Sequence, residues 1–449
     1  MTGLDPHKPA SPRGQPLLGH FLQLRRDPLG LLLRAQAECG GLAVLRVGPM
    51  QVHAVFHPDG VRRVLVDNVA NYGKGPLYAL ARPMLGQGLL LSEGALWRRQ
   101  RRLAQPTFHA PRLAGMAPRI VAEAEKLAAR WQLAAAAGRP VEVAADLLGL
   151  SLAAISGLIF GGLTGDAAAI ADDLPGVIRH IERSMSLPLP LLGRLPTPAN
   201  RRFRAAVAHI DGAIARMISG RRDAPGDDLL ARLLAARDDE TGLGMDDHQL
   251  LDEVKTLLLA GFDTTGHAMA WTLHALAHAP ESQRRVQAEL DAVLGGRAPV
   301  PEDIPRLVVG AMAVREALRL YPPIWSFARQ CVADDELLGR KVPAGAHVTI
   351  NPYVTHRVPE FWPDPERFDL ERFTPAAIKA RPRLAYFPFG GGSRQCVGQS
   401  FAELEIHLAL AVLLQRFTVA PLPGRTASPL ASLSLRPRDG IHLRLTARA

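Results

Sequence analysis

Cys396 is the residue around which this chain concentrates most of its potential chemistry. It belongs to the run Phe389-Gly390-Gly391-Gly392-Ser393-Arg394-Gln395-Cys396-Val397-Gly398. Three consecutive glycines permit backbone conformations that other residues resist, and they let another group approach closely. From Phe401 onward, Phe401, Leu404, Leu408 and Ala411 recur at helical spacing, with Ile406, Leu410 and Leu413 on a second face, which predicts a buried helix. Cys396 therefore sits just before a helix N-terminus, beside Arg394. Free amides and the helix dipole there favour a thiolate, which can act as a nucleophile or a metal ligand. Cys39 and Cys331 have no such setting and read as small core hydrophobes. The loop lacks the Gly-Lys-Ser/Thr ending of a phosphate loop.

Three other clusters carry chemistry at helical spacing. Asp246 and Asp247 can cap a long helix that runs to about His278 and stops at Pro280. Its stripe is Val254, Leu258, Gly261, Thr265, Ala268 and Thr272. A helix of roughly 30 residues spans about 45 Å. In its middle lies Ala260-Gly261-Phe262-Asp263-Thr264-Thr265, a composition that opposes helix propensity. Thr hydroxyls there can bond upstream carbonyls and bend the helix. Glu316 and Arg319 share one face of a helix over 307–320, ending at Tyr321-Pro322-Pro323. Taken alone they would be a surface ion pair worth under ~1 kcal/mol. Trp97 and Arg101 also share a helical face, within a basic segment containing Arg98, Arg99 and Arg102.

Phe389, Gly390, Gly392, Arg394, Cys396 and Gly398 together resemble the haem-binding signature of the cytochrome P450 family. The resemblance extends to the acid-Thr pair Asp263-Thr264, to Glu316-x-x-Arg319, to Trp97-x-x-x-Arg101 and to Glu371-Arg372-Phe373, in the family's order along the chain. It implies that Cys396 is the axial thiolate of haem b (iron protoporphyrin IX). Such a ligand pushes electron density to the iron and favours O–O cleavage. It further implies that Trp97, Arg101, Arg329 and Arg394 hold the haem propionates. Phe389, Gly390, Gly398 and Ala260 border the haem. Asp263 and Thr264 relay protons to O2, and Glu316, Arg319 and Arg372 brace the cysteine loop. Leu370 replaces the proline of the family's Pro-Glu-Arg-Phe pattern, whereas Pro365-Glu366-Arg367-Phe368 matches it in letters, so Arg367 competes with Arg372 for the third place.

The implied fold is mainly α with a smaller β-rich part: a triangular helical prism with haem between the long distal helix and the cysteine-loop helix. It would form one domain over 1–449, with β structure mainly at 41–70, 330–355 and 417–447. Residues 42–47 and 51–56 alternate like a hairpin around Gly48-Pro49, and Asp59 to Val66 predicts a short helix. Residues 117–160 read as an Ala- and Leu-rich helix, and Pro175 to Pro198 as a proline-broken access lid or a plain loop. Residues 339–352 predict a hairpin turning at Pro343-Ala344-Gly345, and 433–445 predict closing strands.

The implied activity is haem-thiolate monooxygenation of an apolar small molecule such as a fatty acid, terpene or steroid. A separate ferredoxin-type donor and its reductase would supply electrons, because no flavin or iron–sulfur segment is recognised. Arg98, Arg99 and Arg102 would be exposed charge at the docking face. Peroxide-dependent turnover or non-catalytic haem binding would share the same site. The chain has 449 residues, three cysteines and a formal net charge of +10. That cysteine count implies no disulfide framework, and no nucleic-acid motif accompanies the positive charge. No run of about 18 apolar residues is read anywhere in the sequence, so no transmembrane helix is expected. The expectation is a cytoplasmic monomer without a membrane anchor, of bacterial type.

Overall fold

In the hairpin Leu42–Val47 and Met50–Val55, Val44 pairs with His53, and alternate side chains serve opposite faces. Ala43, Leu45 and Ala54 join one apolar cluster, whereas Leu42 and Val55 join another. Both faces of the sheet are thus covered. The computed structural model describes residues 10–109, 113–162, 165–186, 195–224 and 226–448. Within them the chain forms two compact units, each assembled from separate stretches.

The first unit comprises Met1–Gly75, Met312–Cys396 and Pro429–Arg436. Its five-stranded sheet runs in the order Leu42–Val47, Met50–Val55, His347–Ile350, Phe327–Cys331, Tyr72–Gly73. His347–Ile350 lies parallel to Met50–Val55 and antiparallel to Phe327–Cys331. The expected hairpin over 339–352 is therefore corrected. Its turn at Pro343 exists, with Ala346 N–H donating to the Pro343 carbonyl. The strands on either side of that turn pair with other partners: Arg340–Val342 pairs backward with Asp335–Leu337, and His347–Ile350 joins the main sheet. Residues 58–71 are also not strand. They form the helix Pro58–Arg62, a wide π-helical turn Arg63–Asp67 and a tight 3₁₀ turn Val69–Asn71. Cys39 and Cys331 are buried in the two apolar clusters.

The second unit comprises Pro76–Ala311, Val397–Ser428 and Pro437–Ala449. Its centre is the helix Asp247–Ala277, capped by Asp246, whose carboxylate accepts from Gln249 N–H at 2.8 Å. The helix Val143–Phe160 packs most extensively against it. A Cβ on Gly266 would stand 2.9 Å from Leu148 Cα, and one on Gly261 would stand 2.8 Å from Ile155 Cδ1. Those two glycines set the close approach of the helices. The expected helix over 117–160 is two helices, Ala117–Ala136 and Val143–Phe160, separated by the short strand Val141–Glu142. That strand pairs with His442–Ala447, which also pairs with Phe417–Pro421.

Two further expectations change. Val143–Phe160 is apolar and long enough to cross a membrane by length and composition, so the expectation of no such run does not hold. It is nevertheless a core helix, 61% of it buried inside the structure. Pro175 lies inside the helix Asp166–Ser186 and does not end it. The Leu187-Pro188-Leu189-Pro190 segment lies outside the described residues.

Candidate active site

The cysteine loop is fastened at its base. Phe387 is sunk in an apolar cluster of the first unit, and its N–H donates to His356 Nε2 at 3.0 Å. Gly390 N–H returns to the Phe387 carbonyl, and Cys396 N–H donates to the Phe389 carbonyl, both at 2.9 Å. Gly390 and Gly392 have φ of +75° and +67°, the left-handed region that glycine enters without strain. A Cβ on Gly392 would overlap the Leu65 carbonyl oxygen. The triple glycine is thus used for one close approach and two left-handed turns. The result is an exposed Cys396, in contrast to the two buried cysteines. The helix Gln399–Arg416 follows three residues later, with Gly398 at its cap.

Behind the loop lies a buried ionic cluster. Arg319 makes a bidentate pair with Glu316 at 2.7 and 2.8 Å, and neither side chain has exposed surface. The Arg319 guanidinium also donates to the carbonyls of His356, Pro365 and Arg367. Glu316 accepts from Asp369 N–H at 2.9 Å and lies 3.4 Å from Arg372 Nε. The side chain nearest Glu316 after Arg319 is therefore that of Arg372, while Arg367 contributes its main-chain carbonyl. Burial lowers the Arg372 pKa, and the Arg319 charge lowers it further.

His356 was not legible as a site residue in the sequence. It is fully buried, and its pKa lies well below the usual imidazole value, from burial first and the Arg319 and Arg357 charges next. A neutral ring leaves Nε2 free to accept. The ordered path Glu316–Arg319–His356–Phe387 therefore runs by hydrogen bonds into the loop that carries Cys396.

Arg329 is 7% exposed on the strand Phe327–Cys331. Its guanidinium donates to the Ala328 carbonyl at 2.8 Å and lies over the Phe327 ring. Arg329, Arg394, Phe389, Gly390, Cys396 and the Glu316–Arg319–Arg372 cluster all belong to the first unit.

The second unit holds the remaining predicted residues. The helix Asp247–Ala277 is buried along most of its length, but Ala260 is exposed and Gly261, Asp263 and Thr264 are half-buried. This is a mid-helix window. Thr264 Oγ1 donates to the Ala260 carbonyl at 2.8 Å, so its proton is committed upstream while its lone pairs remain available to a donor. Trp97 and Arg101 lie one turn apart on the helix Gly94–Ala104, and Arg101 Nε donates to Gln105 Oε1 at 3.0 Å.

The expected exposed charge on this helix is corrected for two residues. Arg102 is bonded to Asp238 and Glu240, and Arg99 to Gln249 and the Gly244 carbonyl. Both are half-buried, and Arg98 alone of the three is exposed. The reason is the segment 238–249, whose acidic and carbonyl groups collect both guanidinium groups.

Sequence reading also missed a polar anchor at the upstream end of the long helix. Asp252 accepts from Gln87 N–H at 2.8 Å, and Glu253 accepts from Leu89 N–H at 3.0 Å. Lys255, 4% exposed in its side chain, reaches Asp211 at 2.9 Å and Asp252 at 3.4 Å. Three charges close together among otherwise apolar helical positions were the available signal. They tie the segment 86–89 and the helix Pro198–Asp223 to the long helix.

The residues present fit a haem. In the first unit an exposed thiol suits an axial ligand and Arg329 and Arg394 suit propionates, which need charged or hydrogen-bonding partners when buried; in the second, Arg101 and the Trp97 indole N–H have the same chemistry. A small exposed Ala260 in a buried helix suits a flat apolar group.

The chain's similarities agree with this. The sequence profile described as Cytochrome P450 matches residues 9–444, across both units. Cyclooctatin synthase of Streptomyces melanosporofaciens is 41% identical over 95% of this chain and 93% of its own. Pentalenene oxygenase of Streptomyces avermitilis is 34% identical over 98% and 97%. The crystal structure of the cytochrome P450DA heme domain aligns with a TM-score of 0.90 at 28% identity, covering 98% of this chain and 97% of that one. With its mainly helical P450 fold, this chain belongs to the cytochrome P450 family, as a haem-dependent monooxygenase of the bacterial type.

Proposed function

We propose that the chain hydroxylates a cyclic terpene hydrocarbon or alcohol, with electrons delivered by a separate ferredoxin and its reductase. Support for the substrate class comes from relatives named for pentalenene, cyclooctatin and cyclooctat-9-en-7-ol. The observation that carries the mechanism is the window at Ala260, Asp263 and Thr264 in an otherwise buried helix. Bound haem would supply dioxygen activation, placing one oxygen atom in the substrate and releasing the other as water.

The protein's residues bind, orient and move protons. Cys396 offers its sulfur from a loop fixed by its own amide. Arg394, Arg329 and Arg101 would neutralise and hold the haem propionates, and Trp97 would add an indole N–H donor. Asp263 exchanges protons with solvent-side groups, and the Thr264 hydroxyl accepts a hydrogen bond near the window, holding a water there. The reading includes a cytoplasmic monomer whose donor docks in part through Arg98.

Two measurements test this. The reduced protein with carbon monoxide should show the strongly red-shifted band of a thiolate-ligated haem, and Cys396→Ala should abolish it; an unshifted band in the parent would remove the thiolate assignment. Thr264→Ala should retain haem and substrate-induced spectral shifts on a cyclic terpene panel, yet divert most reducing equivalents to peroxide. Coupling equal to the parent's would remove the relay role. A panel in which fatty acids alone shift the spectrum would overturn the substrate class.

A further inference from the structure

We propose that His267 is a positioning residue for Asp263, fixing the direction in which that carboxylate faces; this rests on the reading of Asp263 and Thr264 as a proton relay. His267 follows Asp263 by four residues on the long helix, so the two side chains share a face. His267 Nδ1 lies 3.6 Å from Asp263 Oδ1, with side-chain exposures of 4% and 14%. That separation is an electrostatic contact, slightly longer than a hydrogen bond, and a small torsional change closes it.

The ring has little room to leave. Gly266, the residue before it, is pressed against the backbone of the helix Val143–Phe160, with Leu148 Cα 2.9 Å from the place of a Cβ. His267 itself is 3% exposed. Asp263, by contrast, borders the mid-helix window. A short carboxylate at a window has two directions available: out toward water, or back along the helix. An imidazole N–H one turn downstream supplies the second direction with a partner.

The neighbouring Thr264 proton is already committed to the Ala260 carbonyl. Orientation of the relay therefore depends on Asp263, and His267 gives Asp263 a defined resting position. Without it the carboxylate turns outward, and protons arrive at the wrong moment or place, which releases reduced oxygen before it reaches substrate.

The test uses the haem-loaded enzyme with a spectral-shift substrate. His267→Ala should lower coupling several-fold, with haem content and substrate KM unchanged. His267→Asn places an amide nitrogen near the Nδ1 position and should restore most of the coupling. His267→Gln, whose amide sits one bond farther out, should restore less. A second readout needs no turnover. In protein labelled with 15N-histidine, the His267 Nδ1 resonance, assigned by its loss in His267→Asn, should move on Asp263→Asn.

Parent-like coupling in His267→Ala alongside an uncoupled Asp263→Asn overturns this proposal alone. Parent-like coupling in Asp263→Asn overturns the relay reading and this proposal with it. An Nδ1 resonance that ignores Asp263→Asn overturns the contact on which the proposal stands.

Discussion

Glu316→Ala should destabilise the folded chain by about 3–5 kcal/mol, the cost of leaving a buried charge without its partner. The carboxylate serves three groups at once. It takes two hydrogen bonds from Arg319, one from Asp369 N–H, and lies 3.4 Å from Arg372. Removing it leaves the Arg319 guanidinium without its counter-charge where neither side chain touches water. The three carbonyls that Arg319 also holds satisfy protons but carry no full negative charge.

Glu316→Gln keeps an acceptor for Asp369 and one bond to Arg319, so its loss should be about half as large. The effect should reach the site. His356 is held through its carbonyl by Arg319 and holds Phe387 through its ring. Loosening Arg319 therefore loosens the base of the cysteine loop. The expected signature is partial loss of the red-shifted carbon monoxide band at temperatures where far-UV dichroism is still intact. Urea midpoints for parent, Gln and Ala check the ladder. A loss under about 1 kcal/mol for Ala would place the pair in the class of surface ion pairs.

The parts of the site that could be read from sequence are those whose local chemistry is self-declaring. Three glycines and an arginine just before a cysteine serve few purposes besides presenting its thiol, and the loop uses the glycines for backbone reasons. The long helix announced its length through its cap and its stripe. What the sequence hid was long-range capture. Arg99 and Arg102 looked like free charge because their partners, Gln249, Asp238 and Glu240, lie far along the chain.

His356 gave no signal in the sequence because its partner is the Phe387 amide, and amides carry no sequence signature. The misread hairpin over 339–352 has the same origin. A turn at Pro343 is local chemistry, but the choice of neighbouring strand is settled by which apolar face needs cover, here Val348 and Ile350 in the cluster with Leu42 and Val55. Pro175 was read as a break, yet it sits within a continuous helix. The local rule was a cost that tertiary packing outweighed.

Glu405→Gln should stabilise the protein, and the gain should grow with pH. Glu405 is fully buried on the helix Gln399–Arg416, which packs against the long helix and Ala117–Ala136. Burial pushes its carboxyl up to about 8, and the Ser151 hydroxyl offsets only part of this. Ser151 acts on the carboxyl only weakly: no well-formed hydrogen bond reaches either carboxyl oxygen among the described residues.

The sign follows from which state binds the proton. In the unfolded chain the group titrates near the ordinary glutamate value of about 4.3. Below that pH it is protonated in both states and contributes no pH-dependent penalty. Between about 4.3 and 8 the folded chain retains a proton that the unfolded chain has released, so stability falls as pH rises. Above about 8 the loss is complete, on the order of a few kcal/mol.

Glutamine has the shape of the protonated acid and never ionises, so it removes the whole dependence. The midpoint difference between Glu405→Gln and parent should be small at pH 5.5 and several degrees at pH 8.5. The buried amide still lacks partners, which is why the acidic end of the series should show no gain. A difference that stays flat across this range would mean that water or an unseen cation keeps Glu405 ionised in the folded state. The helix that follows the cysteine loop would then hold a solvated charge in place of a neutral acid.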